Sequence, residues 1–81
     1  MEVIIELVGN QKDVARSDKI SLTASGRMSV RDALERLRQK YPDLLLDRDS
    51  CLITVNHEIA SLDRALRHND LVCFLPHIGG G

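Results

Sequence analysis

Residues 19–25 alternate strictly. Ile20, Leu22 and Ala24 fall on one side and Ser21, Thr23 and Ser25 on the other, the two-residue period of a half-buried strand that Gly26 then stops. Ahead of it, residues 2–8 are β-branched and apolar and predict a first strand with Val3, Ile5 and Leu7 on one face. The two strands are expected to pair. Between them the polar stretch 10–18, entered through Gly9-Asn10, reads as a connecting loop.

The period changes after Ser29. Val30, Ala33, Leu34, Leu37 and Tyr41 make one stripe at 3.6-residue spacing, and Ser29 with Asp32 has the spacing of a capping box. Arg31–Glu35 and Asp32–Arg36 are spaced as ion pairs on the wet side, cations gather at the C-terminal end, and Pro42 ends the helix. Residues 43–50 read as a loop that packs Leu44 to Leu46 under the sheet. Residues 51–56 predict a third strand, Asn56-His57 a tight turn, and 58–60 a short strand. Residues 61–67 read as a turn or short helix with Leu62, Ala65 and Leu66 inward, and 68–70 as a second turn. Residues 71–75 are apolar on both faces, a strand covered by the core on one side and by something else on the other. Pro76 ends it.

The order β-β-α-β-β(-β) predicts an α+β fold, a β-grasp, ubiquitin-like roll. One main helix crosses a mixed sheet whose last strand is central and parallel to the first. Residues 1–75 are expected to form this domain and 76–81 a mobile C-terminal tail.

Composition narrows the function. The 81 residues suit one small domain, and one Phe, one Tyr and no Trp leave the core to aliphatic side chains. Eleven basic residues against twelve acidic ones give a net charge of −1, which argues against a nucleic-acid footprint. No long apolar run predicts a membrane span and no basic-then-apolar start predicts a signal peptide, so a cytoplasmic address is the default. Cys51 and Cys73 lack metal-site spacing and read as small buried hydrophobes, with neither a metal nor a disulfide expected. His57 and His68 read as solvated turn residues, and Asp63 and Asp70 as turn caps.

The sequence closes on Gly79-Gly80-Gly81. A backbone without side chains can enter a narrow channel, so the Gly81 carboxylate is the expected reactive group and Gly79 and Gly80 its slim leader. If Val72 and Phe74 face the core, then Leu71, Cys73 and Leu75 form an apolar stripe beside the tail, a docking surface by default.

The residues also carry a family likeness. Val30-Arg31-Asp32-Ala33-Leu34, Val55-Asn56, Ser61-Leu62-Asp63, Asn69-Asp70-Leu71-Val72 and the ending Phe74-Leu75-Pro76-His77-Ile78-Gly79-Gly80-Gly81 resemble the MoaD/ThiS sulfur-carrier proteins. The Phe-Leu-Pro approach to the tail is most similar to the small subunit of molybdopterin synthase. His77 stands where that subunit usually has a second proline, and a triple glycine is also common among thiamine carriers.

The resemblance implies a chemistry. A ubiquitin-activating-type enzyme would use MgATP to adenylate Gly81, and sulfur from a donor protein's persulfide would convert it to a thiocarboxylate. The tail would then enter the large subunit of molybdopterin synthase, in a heterotetramer, and give sulfur to a pterin precursor of the molybdenum cofactor. Leu71, Cys73, Leu75, Pro76, His77 and Ile78 would contact the partners. The chain would bind no cofactor and have no catalysis of its own. Other acceptors (thiamine thiazole, an amino acid, a tungsten cofactor route), a ubiquitin-like protein modifier and an interaction module with an inert tail remain alternatives.

Overall fold

The computed structural model describes residues 1–44, 46 and 51–76. Its elements are β1 (Glu2–Glu6), α1 (Asn10–Ala15), β2 (Lys19–Thr23), α2 (Val30–Lys40), β3 (Cys51–Val55), β4 (Glu58–Ile59) and β5 (Leu71–Pro76). The sheet runs β2-β1-β5-β3-β4, with β5 central. β1 and β5 are parallel, and every other pair is antiparallel. This is the β-grasp order expected from the sequence, and the α2 crossover is what allows the first and last strands to run side by side.

Alternation sorts the sheet into two faces. Val3, Ile5, Ile20, Leu22, Ile53, Val55, Val72 and Phe74 are buried on the inner face, packed with Val30, Ala33, Leu34 and Leu37 of α2. Leu44 and Leu46 are also buried, while Leu45 lies outside the described residues.

Several expectations need correction. The stretch 10–18 is not all loop: Gly9 at φ 54° turns the chain, Gln11 and Lys12 N–H groups bond to the Val8 and Gly9 carbonyls, and α1 closes on Arg16 in left-handed geometry. Ala65 is exposed, not inward, and its backbone forms an isolated bridge with Ser29. His68 is an exposed turn residue as expected, and its Nδ1 also accepts from the Glu2 N–H at 3.0 Å. Among the helix charges, Arg31 reaches Asp63 at 2.9 Å, Arg38 pairs with Glu35 at 3.6 Å, and Arg36 donates to the Thr23 carbonyl at 2.5 Å. Asp63 is therefore an ion-pair partner here.

The outer edge of β2 is partly closed by side chains. Met1 and Ala24 bond each other across to β1, so Lys19, Ser21 and Thr23 turn their backbone groups away from it. Ser17 Oγ donates to the Lys19 carbonyl at 2.6 Å and accepts its N–H at 3.3 Å, and Arg36 covers Thr23.

Candidate functional site

The site is built around β5, and its entry is braced by the segments that carried the family likeness. Asn56 and His57 have φ values of 52° and 70°, the primed turn that suits a two-residue hairpin between β3 and β4. Asn56 Nδ2 donates to Asp70 Oδ1 at 3.0 Å, and its Oδ1 accepts from the Leu71 N–H at 3.0 Å. Asp70 Oδ2 accepts from the Arg67 N–H at 2.7 Å, so Asp70 caps its turn as its position suggested. The hairpin and the loop into β5 are thereby one hydrogen-bonded unit.

The start of α2 is closed as well. The Val30 and Arg31 N–H groups donate to the Arg64 and Leu62 carbonyls, each at 2.9 Å, and the Asp32 N–H to Ser29 Oγ at 3.2 Å. Asp32 completes the capping box by accepting the Ser29 N–H at 3.0 Å, and this holds its carboxyl below the usual carboxylate range. The helix start offers no spare donor for an anion. Among the described residues no group of three or more His, Cys, Asp or Glu could hold a metal ion, and no helix is long and apolar enough to cross a membrane.

The outer face of the sheet around β5 is the remaining candidate surface. Register places its side chains in rows: Ser21, Ile4 and Leu71; then Lys19, Glu6, Cys73, Thr54 and Ile59; then Leu75 and Leu52. Leu71 and Leu75 are half-buried, while Leu52 and Ile59 are 47% and 77% exposed. Ile59 and Leu52 were not singled out from sequence. Their exposure depends on β3 and β4 forming one rim of the sheet, and only the alternation of β3 hints at it.

Cys73 sits in the middle of this face but is buried, and burial, with Glu6 beside it, pushes its thiol pKa up. It is a poor thiolate nucleophile. Cys51 is half-buried and pairs with Pro76. Pro76 is the last residue of β5, and His77, Ile78, Gly79, Gly80 and Gly81 lie outside the described residues.

The ThiS family model matches residues 5–81. SAMP1 from Haloferax volcanii has a similar structure: TM-score 0.82, 25% identity, 100% of both chains covered. The small archaeal modifier protein 1 from Methanosarcina acetivorans gives TM-score 0.78 and 26% identity over 99% of this chain and 96% of that one. A chain in the complex of subunit 1 and subunit 2 of molybdopterin-converting factor from Helicobacter pylori matches at TM-score 0.65 and 20% identity, over 100% of this chain and 100% of that one. No curated protein sequence matches the chain significantly.

Proposed function

The chain belongs to the ThiS family of ubiquitin-like sulfur carriers, and from that premise we propose that it is the sulfur-donating small subunit of a molybdopterin synthase. The observation that supports a sulfur carrier is the family match, which covers residues 5–81 and so includes β5 and Gly79-Gly80-Gly81, and the likeness to molybdopterin-converting factor supports the choice of pathway. The chemistry follows from what a carboxylate lacks. The Gly81 carboxylate is a poor electrophile, so an activating enzyme of the ubiquitin-activating type first makes it an acyl adenylate, using its own MgATP and releasing pyrophosphate. A donor protein's persulfide sulfur then attacks the acyl carbon and AMP leaves. A thiol cleaves the resulting S–S bond, leaving the thiocarboxylate and a disulfide. The sulfur acceptor is a pterin precursor held by a larger partner subunit.

Leu71, Leu75, Leu52 and Ile59 form the apolar surface for that partner, with Pro76, His77 and Ile78 leading into its channel. Cys73 lies beneath this surface more than on it. The Helicobacter pylori complex of two subunits supports a partner protein of this kind. Leu75→Asp should weaken partner binding by roughly tenfold or more while the thermal midpoint stays within a few degrees. Titration calorimetry and a melt decide it, and unchanged affinity in a folded variant would refute the docking surface.

The likeness to modifier proteins favours one second reading, conjugation of Gly81 to lysines of other proteins. The deciding experiment incubates the chain with its activating enzyme, MgATP and a sulfur donor, beside a chain lacking Gly81. A mass gain equal to exchange of one oxygen for sulfur, absent from the control, supports the carrier. A ladder of covalent conjugates supports the modifier. Neither product, with no adenylate trapped, sinks both.

A further inference from the structure

The two neighbours of β5 end at different points. On one side Cys51, the first residue of β3, pairs with Pro76. On the other, the last register pair with β1 is Glu6 with Cys73. That parallel ladder opens with the Ile4 N–H on the Asp70 carbonyl at 2.9 Å. Its rungs advance two residues at a time on each strand, so the rung beyond Glu6 would join the Val8 N–H to the Phe74 carbonyl.

Gln11 occupies that rung. Its Oε1 accepts from the Val8 N–H at 3.0 Å, and its Nε2 donates to the Phe74 carbonyl at 2.9 Å. A primary amide carries the donor and acceptor of a peptide unit, so the side chain extends β1 by proxy. Gln11 is 7% exposed, and both ends of its amide are engaged inside the fold. The next residue of β5 turned to this side is Pro76, which has no N–H to offer a further strand. β5 is therefore held on the β1 side as far as Phe74, by Gln11, while its register with β3 runs on to Cys51 and Pro76.

We propose that Gln11 is a positioning residue for tail activation: its amide clamps β5 at Phe74 and so fixes where, and in which direction, the strand hands over to the reactive terminus. This rests on the carrier reading above. Without the clamp the end of β5 would keep its β3 partner alone and fray more readily, so the strand would hand over to the terminus less uniformly, a loss of positioning.

The test compares Gln11→Met, similar in length but without the amide, with Ser29→Ala, which weakens the α2 cap outside β5. Wild type and variants are assayed for activating-enzyme-dependent ATP–pyrophosphate exchange and for amide hydrogen exchange at Leu75. Gln11→Met should lower kcat/KM about tenfold and speed Leu75 exchange about tenfold, with Ser29→Ala within about twofold of wild type in both. Should Gln11→Met not fold, Gln11→Glu keeps the acceptor for Val8, loses the donor to Phe74 at neutral pH, and reads the same contrast. An active wild type with unchanged kcat/KM in the variant, or an unchanged Leu75 rate, overturns the clamp alone. An inactive wild type overturns the carrier reading and the inference with it.

Discussion

His57 sits at φ 70°, in the left-handed region that costs a residue with a Cβ roughly 1–2 kcal/mol. Among the described residues no hydrogen bond of its side chain offsets this, whereas its neighbour Asn56, at φ 52°, is held by Asp70 and Leu71. The two positions should therefore answer glycine oppositely. His57→Gly relieves strain at an entropic penalty of about 0.5–1 kcal/mol, for a net gain of up to about 1 kcal/mol, or roughly 4–8 °C in the melting midpoint. Asn56→Gly relieves some strain too but leaves Asp70, 8% exposed, short of a partner, and should destabilise by about 2 kcal/mol. Urea titration of both variants separates them, and equal effects would refute the network. Asn at the first turn position was readable from sequence. The partnership of Asn56 with Asp70 was not, because it joins residues 14 apart in the chain.

At the scale of elements, α2 was legible because its signals are local. The apolar stripe and the Ser29–Asp32 spacing are set within a turn or two, and both halves of the capping box form. Ser29→Ala should cost about 1 kcal/mol. Since Asp32 is held below its ordinary value of 3.8, its contribution is complete above that pH and fades as acid carries the pH through the lower folded value. In Asp32→Asn the stability difference from wild type should be flat above about pH 4 and shrink below it, as pH-dependent melts would show. The strands were legible for the same reason, through alternation. What escaped was set at long range: α1 has one turn and a half and no stripe, and its buried Gln11 acts on Phe74, 63 residues away. His68 likewise answers to Glu2, 66 residues away, so no window of sequence reveals its role.

The whole molecule divides its work between two surfaces and two edges. One face of the sheet is spent on the core, while the other keeps Leu52 and Ile59 open beside Leu71 and Leu75. An apolar face on a small protein invites self-association, and open strand edges compound that risk. Here β4 is only two residues long, and the β2 edge is occupied by Ser17 and Arg36. Arg36→Ala would uncover the Thr23 carbonyl. It should raise the tendency to aggregate at high concentration more than it lowers the melting midpoint, which light scattering beside a melt would reveal.

The parallel pairing of β1 with β5 also has a mechanical meaning. A pull on the C-terminal end of β5, as when a partner draws the tail inward, is directed along the strand. With β1 held from its own start, the rungs between the two strands are strained in shear and must yield together, not one after another as in an unzipping hairpin. The end of the molecule to which the proposed chemistry falls is thus attached by the pairing that resists such a tug.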